Sequence, residues 1–381
     1  MKYKPSIAVV SGAHSDAGIW IPILDGLHTA ALWNIQLVLT GSHTLENSNS
    51  ASIFMDKGYH QFDQVVQKRA IQSHEDMGRV CAELVQDFII YFQQRQPDVL
   101  MLLGDRYETY AAALAAWFLG IPIAHIHGGE TTEGALDDGF RNSISHFSQL
   151  HFTAHATFRD KLISMGLPPA QIFVSGAPGL DRFRNLILPD RKSTLSYLGL
   201  PPDAEYIFVV FHPVTRLPDA GVEEWRAIEQ ALDAIPLPVV IHMGSPDAGN
   251  QALHTLLMQW IQGKEARVKR VEHPGETWFP ALMKHCLLMA GNSSAALIEA
   301  PFFNTPVLNI GMRQQGRLMS EKGIQVPANA DAIVKGIELI LENTDQVRPD
   351  ASPYGNGKAV QVILRELERY FKNETNGAIS H

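Results

Sequence analysis

Carboxylates and histidines cluster in residues 102–142, LLGDRYETYAAALAAWFLGIPIAHIHGGETTEGALDDGFRN, at the ends of two short apolar runs. Asp105, Glu130 and one or both of Asp137 and Asp138 stand there among glycines. A carboxylate placed where a parallel strand stops points into the crevice that open α/β sheets use for ligands. Gly104-Asp105-Arg106 and Gly128-Gly129-Glu130 each have a bland reading, a turn ion pair and a tight loop. Two neighbouring strand ends that both carry carboxylates favour an active site. His125 and His127 alternate like a metal-ligating pair, since alternate strand residues share a face. No third or fourth ligand is evident beside them, which weighs against a metal.

Four further groups follow strand-like runs. SGAHSDAG at 11–18 is a strand, a small-residue turn and a helix start, which could offer backbone N–H groups to phosphate but reads more readily as an ordinary βα turn, with His14 and Asp16 as its exposed side chains. HPVTR at 212–216 places His212 at a strand end in the second half of the chain. AGNSSAALIEAP at 290–301 puts Ser293 and Ser294 at a helix start, suited to a diphosphate without a lysine. Glu299 falls about one and a half turns on, where it could accept from a ribose diol. The plainer alternative makes Ser293 an N-cap and Glu299 a solvated face. Arg313 and Arg317 lie in the following loop.

The elements that must position these residues read as strands alternating with helices, the pattern of parallel sheets covered on both faces. Strands are expected at 7–10, 35–40, 99–103, 123–126, 206–211, 239–241, 268–270, 287–290 and 307–310. Helices are expected near 19–29, 73–94, 109–119, 138–149, 222–234, 248–262, 295–302, 331–342 and 358–371. Ser73 with Asp76 makes a capping box for the second helix, and Pro97 ends it. Residues 44–63 are polar and unperiodic and read as a loop. Prolines and charges at 185–204 suggest a linker. The domains expected are 1–185 with the catalytic carboxylates, 186–357 for nucleotide, and a helix and tail at 358–381 whose return to the first domain stays open.

The 381 residues, 45% apolar, suffice for two domain cores, and no tandem repeat is visible. A formal charge of -9 gives no reason to expect nucleic acid or an anionic membrane as partner. The two cysteines, Cys81 and Cys286, form no CxxC, which argues against thiolate zinc and for a reducing compartment. The N-terminal apolar run is too short for a signal peptide, and the stretch 111–126 is broken by Gly120 and Pro122 before it could span a bilayer. A cytoplasmic protein is therefore expected.

Taken together, GDRYE at 104–108, HIHGGETTEGALDDGFR at 125–141, SGAPGLD at 175–181, FHPVT at 211–215, SPDAG at 245–249 and GNSS…IEAP…NIGMRQQGR at 291–317 resemble the hydrolysing UDP-N-acetylglucosamine 2-epimerases of sialic-acid-type biosynthesis. The resemblance covers nearly the whole chain. It implies two Rossmann-like doubly wound α/β domains in a glycosyltransferase-B-like arrangement, with an interdomain cleft for a UDP-sugar and no cofactor. It implies elimination of UDP to a 2-acetamidoglucal, then addition of water with inversion at C2. Asp105, Glu130 and Asp138 match the family's acids, and His212 its histidine, an imidazolium at the leaving diphosphate. Ser293, Ser294, Glu299 and Arg317 match nucleotide contacts, with His14, Asp16, Arg106, Arg141, Asp247 and Arg313 as further binding residues. A dimer or tetramer is expected.

Two positions depart from the family pattern: His14 stands where an arginine is usual and Asn142 where a histidine is usual. Both bear on the sugar and phosphate, so UDP-N,N'-diacetylbacillosamine is an alternative substrate to UDP-N-acetylglucosamine. Other readings are a sugar transferase on the same fold, a metal-dependent hydrolase using His125 and His127, and a nucleotide-sugar sensor.

Overall fold

A computed structural model describes residues 4–46, 48–131, 137–214, 219, 221–243, 251–349 and 351–377. The chain forms two units, Met1–Arg184 with Tyr354–His381, and Asn185–Pro353.

The first unit holds a seven-stranded parallel sheet: β1 (Ser6–Ser11), β2 (Asn34–Leu39), β3 (Asp63–Gln64), β4 (Val99–Leu103), β5 (Ile123–Ile126), β6 (Leu150–Thr153) and β7 (Ile172–Val174). Their spatial order is β3-β2-β1-β4-β5-β6-β7. Along β1, Ile7 and Val9 enter one core with Trp20 and Leu24, while Ala8 and Val10 enter another with Leu84 and Phe88. Burial on both faces explains why such strands read as unbroken apolar runs rather than alternating ones. The helix His74–Arg95 begins at Ser73, whose hydroxyl accepts from Asp76 N–H, and stops at Gln96 in left-handed conformation.

The second unit repeats the plan with β8 (Ile207–Val210), β9 (Val239–His242), β10 (Val268–Arg270), β11 (Leu288–Gly291), β12 (Val307–Ile310) and β13 (Ile324–Val326). The order is β10-β9-β8-β11-β12-β13. Ile207 and Val209 join one core around Trp225 and Leu257, and Phe208 and Val210 join the opposite one around Leu282 and Leu297. Both sheets are the doubly wound α/β type.

In each sheet the strand order reverses once, between β1 and β4 and between β8 and β11. Loops leaving adjacent strands in opposite directions open a crevice there, the usual ligand site of such sheets.

Three expectations change. The polar stretch 44–63 contains a short helix, Ser52–Met55, because Phe54 is buried in the first unit's core. The segment read as a linker carries the helix Arg191–Tyr197, capped by Asp190, and Leu195, Leu198 and Leu200 are buried in the second unit. The helix Gly275–His285 went unseen because Pro280 lies within it, and a proline weakens a helical pattern. Among the described residues, no helix is long and apolar enough to cross a membrane.

Candidate active site

In the first unit, the loops after β4 and β5 are joined by one guanidinium. Arg141, on the helix Asp137–Phe147, pairs with Asp105 and lies 3.7 Å from Glu130 Oε2. Arg141 is almost wholly buried, so it binds these carboxylates in a weakly screening medium. The amide oxygen of the next residue, Asn142, is buried without a hydrogen-bond partner among the described residues.

Of the two aspartates at the start of that helix, Asp137 has a carboxyl displaced from its ordinary value. Its carboxyl is pushed up by burial and by facing Asp105, against the pull of Arg106 and Arg141. A carboxyl so displaced holds its proton more readily, as a general acid must.

Glu130 has a partner the sequence did not reveal. His127 Nδ1 lies 2.5 Å from Glu130 Oε1. His127 follows the last residue of β5 and takes φ +64, so strand alternation with His125 is broken. His125 is itself fully committed: Nε2 donates to Gly104 O at 2.8 Å and Nδ1 lies 3.1 Å from Ser145 Oγ. Burial pushes its imidazolium down to about 3. The two histidines therefore make no metal pair, and among the described residues no cluster of three or more His, Cys, Asp or Glu side chains could hold an ion.

The first turn satisfies its own backbone donors. The N–H groups of Gly12 and Ala13 both donate to Asp16 Oδ2 at 2.9 Å, which leaves neither for an anion. His14 is exposed beside them. Arg106 turns to Glu108, a fully buried carboxylate that reading the sequence passed over. A Cβ on Gly12 would meet Glu108 Oε1 at 2.3 Å, so the glycine serves this close approach. The available signal was an acid in the first turn of an alanine-rich helix.

In the second unit, His212 leaves β8 and Asn292 leaves β11. Asn292 Oδ1 accepts from His212 N–H, and Asn292 Nδ2 donates to His212 O, both at 2.8 Å. Gly291 has φ +129, and a Cβ there would meet Val210 O at 2.1 Å, so only glycine lets the two strand ends close. Arg313 Nη1 and Gln314 Nε2 donate to Asn292 O at 3.1 and 2.9 Å. Burial, with Arg313 and His242 nearby, pushes the His212 imidazolium down to about 4. In the free protein it is thus a neutral imidazole near pH 7.

Ser293 caps the helix Ser294–Ile298, its hydroxyl accepting from Ala295 N–H at 3.3 Å. That helix is shorter than the sequence suggested. Glu299 ends it ahead of a 3-10 turn, Ala300–Phe303, since Pro301 has no N–H to continue the ladder. Arg317 is exposed in the loop after β12. Asp247, Thr215 and residues 132–136 lie outside the described residues.

Two doubly wound sheets whose switch-point loops carry acids in one unit and a histidine with small polar residues in the other define an α/β protein of the glycosyltransferase-B-like kind. Comparison with known proteins narrows this. A UDP-N-acetylglucosamine 2-epimerase family model matches residues 26–368. The chain is 31% identical to a UDP-N,N'-diacetylbacillosamine 2-epimerase (hydrolyzing) of Legionella pneumophila, over 95% of both chains. It is 26% identical to a GDP/UDP-N,N'-diacetylbacillosamine 2-epimerase (hydrolyzing) of Campylobacter jejuni, over 86% of this chain and 85% of the other. Among solved structures, the UDP-GlcNAc 2-epimerase of Neisseria meningitidis, bound to UDP-GlcNAc, superposes with a TM-score of 0.79 at 18% identity, covering 96% of this chain and 100% of that one. The chain belongs to the UDP-N-acetylglucosamine 2-epimerase family.

Proposed function

We propose that this enzyme is a hydrolysing nucleotide-sugar 2-epimerase that converts a UDP-acetamido sugar to UDP and the free sugar inverted at C2. UDP-N,N'-diacetylbacillosamine and UDP-N-acetylglucosamine are the two substrates proposed. The observation that carries the reading is the buried Arg141 joining Asp105 to Glu130, with Asp137 facing Asp105. Removing a weakly acidic C2 proton on one face and returning a proton on the other needs at least two acid–base groups about one ring. A sugar transferase needs one base and an acceptor.

In this reading Asp105, Glu130 and Asp137, or its neighbour Asp138, form the acid–base set about the ring. His212, Ser293, Ser294 and Arg313 hold the diphosphate, and Glu299 and Arg317 serve the nucleoside side. Arg106, Arg141, His14 and Asp16 shape the sugar end, and Asp247 is assigned there by resemblance alone. The diacetylated sugar is favoured by the names of the Legionella and Campylobacter relatives and by the two departures at His14 and Asn142. Exchanging Asp105 for Asn or Glu130 for Gln should leave UDP binding intact and remove turnover. Full turnover in both variants would refute the assignment.

A further inference from the structure

His127 is drawn into the acid cluster by features that a packing role does not explain. It is a non-glycine residue at φ +64, a conformation uncommon outside glycine, more often taken by His, Asn and Asp than by other side chains, and one that gathers at functional sites. The twist follows directly on β5 and lets the ring meet Glu130, three residues along, at 2.5 Å through Nδ1. The other nitrogen, Nε2, is buried and has no hydrogen-bond partner among the described residues. Glu130 in turn lies within reach of Arg141, which holds Asp105.

A carboxylate oxygen can only accept, so a neutral imidazole at that distance donates through Nδ1–H, and the Nε2 lone pair is left as a base. This is the logic by which a carboxylate fixes the tautomer and orientation of a general-base histidine. His125, two residues earlier, shows the contrast: both its nitrogens are satisfied, and no proton can be exchanged there without breaking a bond to Gly104 or Ser145.

We infer that His127 and Glu130 act as one proton-handling dyad, in which Glu130 orients the imidazole and Nε2 of His127 takes the proton from C2 of the sugar. The inference rests on the 2-epimerase reading above. In the step, Nε2 gains the proton and the C2–H electron pair becomes the C1–C2 double bond. The C1–O bond breaks with its pair leaving on the diphosphate. A carboxyl on the opposite face, Asp137 in this account, then protonates C2, water adds at C1, the proton that water sheds returns to Asp137, and Nε2 of His127 gives its proton to solvent. Glu130 keeps its negative charge throughout and stabilises the imidazolium that forms.

His127→Asn is the variant that separates the roles. Asparagine tolerates positive φ, its amide nitrogen takes the place of Nδ1 and keeps a donor for Glu130, and nothing replaces Nε2. Its UDP affinity and melting temperature should match the wild type. Its turnover should fall ~10²–10⁴-fold, the usual worth of a general base, with a larger isotope effect on a C2-deuterated substrate. Turnover within about threefold of wild type, in a range far below that expected for a lost base, would overturn the proposal.

A second measurement does not depend on activity. In wild-type protein labelled with 15N-histidine, the His127 signals, assigned by their loss in His127→Asn, should report a protonated Nδ1 and a bare Nε2. Glu130→Gln should disturb that tautomer. A proton on Nε2 in the wild type would overturn the dyad. If the wild type releases no UDP from any UDP- or GDP-acetamido hexose, the functional reading fails, and the tautomer still decides for or against the dyad.

Discussion

Asn292 holds His212 by its backbone, accepting from the His212 N–H and donating to the His212 carbonyl at 2.8 Å each. The two residues leave β8 and β11, the neighbours at which the strand order of the second sheet reverses. One buried amide therefore fixes the mouth of the switch point and the histidine proposed to meet the diphosphate.

Replacing Asn292 by Ala leaves a backbone donor and acceptor without their partner, at a cost of about 1–3 kcal/mol for each group that stays buried. UDP affinity is expected to fall roughly tenfold or more, since tenfold corresponds to about 1.4 kcal/mol. Titration calorimetry with UDP measures this directly. An unchanged affinity would mean that the pair does not shape the nucleotide site.

His212 should take up a proton when UDP binds. Free, its imidazolium is held down at about 4 by burial and by Arg313 and His242, so it is neutral near pH 7. A bound diphosphate sets negative charge against it and raises that value. Between the free and bound values the complex carries the extra proton, so affinity rises as pH falls through the bound value and levels off below about 4. Calorimetry in buffers of different ionisation enthalpy counts the protons. The His212→Gln variant removes this share and leaves only UDP's own titration.

Asp137 and Asp138 are adjacent and both half-buried, and the upward displacement of the Asp137 carboxyl separates them. Asp137 is the carboxyl displaced upward by burial and by Asp105. Asp137→Asn is expected to cut turnover by ~10²–10⁴-fold, as loss of a general acid does. Asp138→Asn should cost far less. Steady-state assay of both variants beside UDP binding decides, and the reverse order would transfer the role to Asp138.

The motif residue Asp181 has a structural task. Its two carboxylate oxygens accept from Ala359 N–H and Val360 N–H at 3.0 and 2.9 Å, capping the C-terminal helix Ala359–Gly377 from 178 residues away. Ile363 and Leu367 of that helix are buried in the first unit's core. Asp181→Ala should lower stability by about 1–2 kcal/mol, the worth of an N-cap, and leave kcat near wild type at low temperature. Thermal melts and a cold assay test the two halves of that statement.

The sequence made the sheets legible because parallel strands covered on both faces are plain apolar runs, as with Val99–Leu103. Polar residues just past such runs marked Asp105, Glu130, His212 and Ser293. What stayed hidden depends on side-chain direction or on distant partners. The turn of His127 to Glu130 follows from a positive φ that a His-Ile-His text does not announce. Asn292 stood unnoticed in a Gly-Asn-Ser-Ser turn because its partner is 80 residues away. The two readings of the first turn, ordinary βα turn or phosphate cradle, part only at Asp16, whose carboxylate takes the N–H groups of Gly12 and Ala13.

The central claim, that UDP is hydrolysed away as C2 inverts, is tested most directly by incubating the enzyme in D2O with UDP-N,N'-diacetylbacillosamine and, separately, UDP-N-acetylglucosamine, with no acceptor present. Proton NMR of the products should show free UDP and a free reducing sugar of inverted C2 configuration, with deuterium at C2. A C2-inverted sugar still attached to UDP, or no UDP release from either substrate, would contradict it.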